Sequence, residues 1–413
     1  MYHKPTSNMP TLLQINITAN WGSHGKIAEG IGKIALSNGW RSIIAYGRWY
    51  NPSQSELYQI GSIRDEQIHG VTSRIMDNHG LMSRGATRRL IDYIETVNPD
   101  IIHLHNIHGY YLNYPILFDY LAKTGKPIVW TLHDCWAYTG HCAHYMFARC
   151  DKWKTLCQHC PQRDTYPKSI LLDRSKRNYL LKEHYFCSVP NLTLIAVSQW
   201  LQNDVKQSFL KDLPLYHIHN GIDTNTFYID RDTDGLYTKY NIPHDKKIVL
   251  GVASNWFRKG FEDFIQLRHM LDDEYTIVLV GLTDKMLKQL PTGVIGIKRT
   301  QNVADMRKLY SIADVYMNLT WEDNFPTTNL EALACGTPVI TYDTGGSSES
   351  LTQQIGKVID QGDISAALDS IRLYSHNPVP GELCRQHIVD NFNSEQKFHE
   401  YFNLYCSLLS HHK

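Results

Sequence analysis

The sequence predicts an α/β protein built from two doubly wound domains in series, and three observations carry that prediction. At 413 residues the chain exceeds what a single hydrophobic core usually supports. Short apolar strands alternate with helical segments through the first half, and the alternation starts again in the second. Alternation of this kind builds a parallel sheet covered on both faces. Two such domains bind ligands at the C-terminal ends of their strands, which places the natural site in a deep cleft between them.

In the first domain, residues 1–219, the stretch 11–17 (TLLQINI) reads as a buried strand. A loop over 18–25 follows, then a helix with Ile27, Ile31, Ile34 and Ala35 at helical spacing. Residues 41–46, 101–104, 127–132 and 192–197 are further strands, and 135–165 is a Cys-rich loop without a clear core pattern. The polar segment 220–241 reads as a solvated linker. Its Asp230, Asp232, Asp234 and Gly235 imitate the opening of a calcium loop, but the twelfth position is Asn241 where a bidentate Glu is needed. In the second domain, 242–390, strands are expected at 247–253, 275–281, 293–297, 315–318 and 338–342. The terminal segment 391–413 carries Phe392, Phe398, Phe402, Leu404, Leu408 and Leu409 in an amphipathic pattern. It is a helix that either completes the second core or crosses back to the first domain.

Composition narrows the function classes. Lys plus Arg and Asp plus Glu both total 41, so there is no electrostatic case for nucleic acid as a partner. The 25 tyrosines suit carbohydrate or base stacking, or simply reflect compositional bias. No apolar run approaches the roughly 20 residues needed to cross a bilayer, and the N-terminus has no export-signal pattern, so a cytoplasmic chain is expected. Nine cysteines in a reducing compartment argue for thiols or metal rather than disulfides.

The richest chemistry lies in 313–346, ADVYMNLTWEDNFPTTNLEALACGTPVITYDTGG. Asp323 and Glu331 stand eight positions apart across the start of one helix. The first N–H groups of a helix lack intrahelical partners and sit at its positive end, a ready site for anions and polyols. Thr327, Thr328, Asn329 and Leu330 would present such amides. Arg258 and Lys259 precede Gly260 just beyond a strand end, where they would neutralise a diphosphate or form an ordinary surface pair. In the first domain, Gly22 with Ser23 and Gly25 lets backbone amides approach a phosphate or an acceptor.

With these pieces in order, the chain resembles the family-4 retaining glycosyltransferases of the GT-B fold, two Rossmann-like domains facing a cleft. The resemblance rests on WTLHDCW (130–136), AVSQWL (196–201), HNGID (219–223), ASNWFRKG (253–260), the run 310–340 and TGG (344–346). It implies that a nucleotide-diphosphate sugar is the donor and that His133, Asp323 and Glu331 do the catalytic work. His133 would contact the donor sugar, Asp323 its hydroxyls and Glu331 the ribose, with no metal or cofactor demanded for catalysis. Gly22, Arg258, Lys259, Glu322, Asn324, Phe325, Pro326, Thr327 and Thr328 would complete the donor site. Two departures stand out: the first acid of the usual E-x7-E pair is Asp323, beside Glu322, and Val252-Ala253 replaces the usual Gly-Arg. Arg258, Lys259 and Trp256 are then expected to hold the phosphates. Residues 298–302 follow a strand where the base would be read.

The acceptor side is expected at the end of IIHLHNIHGYY (101–111), where His105, His108 and Tyr110 would form an acceptor edge; structural histidines or a zinc site are the other readings. Residues 73–94 carry Arg74, Arg84, Arg88 and Arg89 among Met76, Leu81 and Met82. That segment would touch an anionic membrane or a lipid diphosphate, or form a solvated helix face. Cys142, Cys150, Cys157 and Cys160, spaced C-x7-C-x6-C-x2-C, read as a structural zinc clip or as free thiols. The function expected is transfer of a sugar to a glycan or lipid-linked glycan of a surface polysaccharide, by a cytoplasmic protein peripheral to the membrane. A sugar-nucleotide epimerase or hydrolase and a non-catalytic sugar-nucleotide-binding module are the alternatives.

Overall fold

In the computed structural model, which describes residues 9–411, the chain divides into two compact units. The expectation about an export signal falls partly on residues 1–8, and the last two positions of the terminal segment on 412–413; both lie outside the described residues. One unit runs to Ile218 and takes back the residues from Lys397 on, and the other is His219–Gln396.

The first unit holds a seven-stranded sheet: β1 (Thr11–Asn16), β2 (Arg41–Tyr46), β3 (Glu56–Gln59), β4 (Ile101–Leu104), β5 (Ile128–Leu132), β6 (Leu192–Ala196) and β7 (Leu215–His217). All neighbours run parallel, in the order β3-β2-β1-β4-β5-β6-β7. The reversal beside β1 is the switch point at which a doubly wound sheet opens a crevice. The second unit holds β8 (Lys247–Val252), β9 (Tyr275–Val280), β10 (Val294–Ile297), β11 (Val315–Asn318), β12 (Val339–Tyr342) and β13 (Gly356–Ile359). Their order is β10-β9-β8-β11-β12-β13, again parallel, with the switch beside β8.

β1, β4, β5, β6 and β9 are buried along their whole length, as sheets covered by helices on both faces require. One core of the first unit joins Leu12, Ile31, Trp40, Ile101, Val129 and Ile195 to Tyr401, Leu404 and Tyr405 of the terminal helix Ser394–His411. The second packs Val249, Phe264, Ile277, Leu279, Met317 and Ile340 against Leu368 and Ile371.

Several expectations need correction. The loop after β1 is shorter than 18–25, because the helix Gly22–Ser37 begins at Gly22, with φ of +66°. The segment 220–241 is not a free linker: it contains the helix Asp234–Tyr240, and Asp230 and Asp232 pair with Arg307 at 2.9 Å and Lys308 at 3.0 Å. Two strands lacked a sequence signal. β3 is an edge with no buried residue, and β13 opens on Gly356-Lys357, which breaks the apolar run. Among the described residues, no helix is long and apolar enough to cross a membrane.

Candidate active site

In the second unit, the loop between β8 and the helix Phe261–Met270 brings two cations to two acids. Lys259 Nζ donates to Asp323 Oδ2 and to the Glu322 carbonyl, both at 2.7 Å. Arg258 reaches Glu322 Oε1 at 2.7 Å, in the less exposed of the two pairs. The loop bends tightly enough that Arg258 adopts φ of +56° and Gly260 φ of +78°. A Cβ at Gly260 would overlap the Leu319 carbonyl, so a glycine is needed for the loop to lie against the end of β11. Gly345, at φ of +55°, lies so close to the Asp323 carbonyl that a methyl there would also overlap it, and Gly346 N–H donates to the Asn324 carbonyl at 3.0 Å. Loops after three neighbouring strands, β8, β11 and β12, thus converge on one acidic turn.

The helix Thr327–Ala334 starts directly after that turn. Its N-cap, Pro326, makes no side-chain cap bond, and no acid lies in its first turn, so its positive end is uncompensated from within. Glu331 sits one turn further on, where Tyr310 Oη donates to its Oε2 at 2.9 Å. Burial first, and then Glu331, push the Tyr310 phenol well above its ordinary range, so it remains a donor. Asn329 is wholly buried and spends its side chain on Asn318, at 2.8 Å, and on the Ser347 carbonyl, at 3.1 Å, which locks the helix start to the next loop. Phe325 stacks on His219 with ring centres 4.7 Å apart. Trp256, expected on the phosphates, is instead a core residue: it is buried among Phe261 and Phe264 and donates its indole N–H to the Val280 carbonyl. In the segment expected at the base, Asn302 caps the helix Val303–Ile312 and Lys298 pairs with Asp284.

In the first unit, His133 follows β5 and is held by a chain of partners whose hydrogens can be traced. Gln14 Nε2 donates to the Ala28 carbonyl at 2.8 Å, which turns Gln14 Oε1 toward His105 Nε2 at 3.0 Å. An amide oxygen only accepts, so His105 carries its proton on Nε2 and presents a bare Nδ1. That Nδ1 faces His133 Nε2 at 3.1 Å, and His133 must therefore be the donor. Burial, then His105 and His24, hold His133 well below the usual imidazole range, so the ring is neutral and its Nδ1 is the basic nitrogen. His24 comes from the start of the helix Gly22–Ser37, bonds Asn16 Oδ1 at 3.1 Å, and brings its ring within 5.9 Å of His133. Asp134 binds His108 at 2.8 Å and also the Trp136 amide, which keeps it charged.

The acceptor edge is therefore corrected in part. His105 is 1% exposed with both ring nitrogens engaged, so it supports His133 rather than meeting an acceptor. His108 and Tyr110 are also buried, and His108 bonds Tyr166 and Asp134. Gln14, Asn16 and His24 escaped the sequence reading. For Gln14 and Asn16 the one signal was two amide side chains at i and i+2 on one face of a buried strand; His24, in the following helix, had none.

Cys142, Cys150, Cys157 and Cys160 line one cavity together with His141, Tyr145 and Trp153, and all four are free thiols. Cys142 and Cys160 share a hydrogen bond, and the sulfurs of Cys157 and Cys160 accept from the Gly140 and Gln162 amides. No three of the sulfurs lie within 4.8 Å of one another. Beside them Lys182 is wholly buried, its ammonium donating to the Trp136 and Thr139 carbonyls and lying 3.6 Å from the Trp136 ring centre.

Two family profiles cover most of the chain: Glycosyltransferase Family 4 matches residues 36–226, and Glycosyl transferases group 1 matches 234–391. The chain is a family-4 glycosyltransferase of the GT-B fold. The glycosyltransferase is 25% identical, over 96% of its length and all of the relative, to WcaC of Escherichia coli (strain K12), a glycosyl transferase assigned to colanic acid biosynthesis. It is 30% identical, over 30% of its length and 34% of the relative, to the N,N'-diacetylbacillosaminyl-diphospho-undecaprenol alpha-1,3-N-acetylgalactosaminyltransferase of Campylobacter jejuni subsp. jejuni serotype O:2. Among solved structures, Anabaena Alr3699/HepE in complex with UDP superposes with a TM-score of 0.67 at 14% identity, covering 97% of this chain and all of that one. At that identity the likeness bears on the fold alone.

Proposed function

We propose that this glycosyltransferase moves a sugar, with retention at the anomeric carbon and without a catalytic metal, from a nucleotide-diphosphate sugar to a lipid-linked glycan in surface polysaccharide synthesis. The observation that carries the reading is the Lys259–Asp323 pair at the uncapped start of the helix Thr327–Ala334. A diphosphate arriving there would meet two cations and free amides, and the released Asp323 would accept hydroxyl protons of the sugar. Glu331, oriented by Tyr310, would hold the ribose.

The bond from the anomeric carbon to the diphosphate oxygen breaks and leaves positive charge on the sugar and negative charge on the diphosphate. Lys259, Arg258 and the helix amides stabilise the second of these. The departing phosphate oxygen takes the proton of the acceptor hydroxyl as that hydroxyl oxygen bonds to the anomeric carbon from the same face. In the first unit, His133 with its proton on Nε2 offers Nδ1 as an acceptor for a sugar hydroxyl. The diphospho-undecaprenol in the Campylobacter relative's name supports the acceptor class, and the cationic helix start described above supports the donor class.

The four cysteines fit a structural zinc clip in this reading. Cys142, Cys150, Cys157 and Cys160 would be its ligands; the hydrogen bond shared with Cys142 lowers the Cys160 thiol to about 7, whereas burial raises Cys157 to about 12, so binding would have to displace that proton.

The deciding experiment is a thermal-shift panel of nucleotide sugars, followed by NMR of the product anomer. A donor at a hundred times its Kd should stabilise the fold by about 2.7 kcal/mol, and Glu331→Ala should abolish the shift. No shift with any nucleotide sugar, or an inverted product, overturns the reading.

A further inference from the structure

A second site in the first unit is a cavity of about 480 Å³, apart from His133 and its partners. Arg84, Arg88, Arg174 and Arg177 line it, against the single carboxylate of Asp119. Among the described residues, none of the four guanidinium groups has an ion pair with a carboxylate. Two are held in place by uncharged groups: Asn78 Oδ1 accepts from Arg177 at 2.8 Å and from Arg174 at 3.3 Å. The helices Arg84–Val97, Tyr114–Leu121 and Ser175–Phe186 all begin at this cavity, and none has an acid in its first turn. Four cations and three helix starts concentrate positive potential here; of the nearby carboxylates Asp119 lines the cavity, while Asp77 and Asp173 accept from the Arg174 and Ser175 amides at 2.8 and 2.9 Å. Burial first, and then the adjacent Arg174, lower the proton affinity of Arg177, and Asp77 offsets them only in part. The remaining wall is apolar, with Leu81, Met82, Ile116 and Leu181.

An exposed apolar ridge adjoins the cavity. Ile68, Val71 and Ile75 lie on one face of the helix Ile63–Met76, and Ile170, Leu171 and Leu172 form a loop; all six are between 38% and 64% exposed. The Ile170 amide donates to the Arg74 carbonyl at 2.6 Å, which fixes the loop to the helix. The same helix ends at Asp77, whose carboxylate binds the Arg174 amide at 2.8 Å and His141 at 2.7 Å. Ridge and cavity are thus parts of one braced piece. Single exposed apolar residues are ordinary, whereas six on two joined elements next to a basic cavity match the chemistry of a lipid with a charged head.

We propose that the cavity binds the phosphate or diphosphate headgroup of a membrane lipid while the ridge enters the bilayer beside it. Arginine forks fit phosphate oxygens in pairs, and the apolar wall accommodates the start of the lipid chain. The inference deepens the acceptor part of the proposed function and rests on it only for the lipid's role as acceptor; binding is read without turnover, so a failed donor assay leaves it standing.

The test is flotation of the full chain with phosphatidylcholine vesicles, alone or doped with phosphatidylglycerol or with a polyprenyl diphosphate, together with a thermal shift in inorganic pyrophosphate. Wild type should float with both anionic vesicles and little with the neutral ones. Arg84→Glu with Arg88→Glu, both exposed positions, should weaken flotation by about tenfold or more, and Leu171→Asp should weaken it while keeping the pyrophosphate shift. A stronger response to the polyprenyl diphosphate than to phosphatidylglycerol points to the acceptor as the source of the headgroup. Equal flotation with neutral and anionic vesicles, or undiminished flotation of the folded Arg84/Arg88 variant, overturns the proposal. So does a pyrophosphate shift without any flotation, which would assign the cavity to a free diphosphate.

Discussion

At Lys259 the ammonium has two acceptors at 2.7 Å and keeps partial exposure, whereas Arg258 is more deeply placed against Glu322. The two neighbours should therefore answer substitution differently. Lys259→Ala should lower turnover by about 10²–10³-fold with little loss of stability, since a partly exposed pair contributes at most about 1 kcal/mol. Arg258→Ala should also destabilise the fold, by more than Lys259→Ala does, because the Arg258–Glu322 pair is the more deeply buried of the two. Kinetics and urea titrations of both variants check this. On the other unit, Gln14→Leu removes the oxygen that fixes His105 and, through it, His133. Nitrogen-15 shifts of the imidazoles should report Nε2–H on His133 in the wild type and a mixture of tautomers in the variant. Wild-type spectra already showing the mixture would remove His133's assigned role as an acceptor at Nδ1.

Three strands, β8, β11 and β12, carry the donor loops, and glycines set how closely those loops approach. Gly345→Ala combines a left-handed backbone with overlap on the Asp323 carbonyl, so it should cost more than about 1 kcal/mol and disturb donor affinity as well. The Cys-bearing segment offers a second test at this scale. Protein purified without chelator should contain about one zinc per chain under the clip reading, and chelation should lower the melting temperature; metal-free protein with four reactive thiols would refute it. Both elements differ in how readily their parts were read. Lys259, Asp323 and Glu331 stand at motif spacings, and motif spacing survives in a linear sequence. Trp256 misled because it neighbours Arg258 in the chain while its side chain turns to the core under β9. Gln14, Asn16 and His24 gain their significance only from partners up to 91 positions away. The central strands were legible as buried apolar runs, whereas β3, an edge with no buried residue, and β13, whose Lys357 interrupts the run at the other edge, were not.

Across the whole molecule, the first unit concentrates histidines that are buried in neutral form. His24 and His69 are lowered to about 4 by burial, and burial also holds His79, His103, His105 and His133 well below their ordinary value. Between pH 6.5 and about 4 the unfolded chain binds these protons and the folded chain does not, so stability falls as pH falls through that window. Each such group contributes up to about 1.4 kcal/mol per pH unit. Melting curves should show a steep acid-side loss beginning near pH 6.5; a flat profile down to pH 5 would contradict the neutral cluster. The placement of the helix Ser394–His411 has a different consequence, one of timing. Its Tyr401, Leu404 and Tyr405 complete a core whose other members lie before residue 220, so an emerging chain must wait for nearly the entire protein to be synthesised before that core can close. At ordinary translation rates the delay is on the order of ten seconds or more. During it, the uncovered faces of Ile31, Trp40 and Ile101 are open to chaperones, and a stop codon anywhere after the second unit would yield a chain that is nearly full length yet unable to finish its first half.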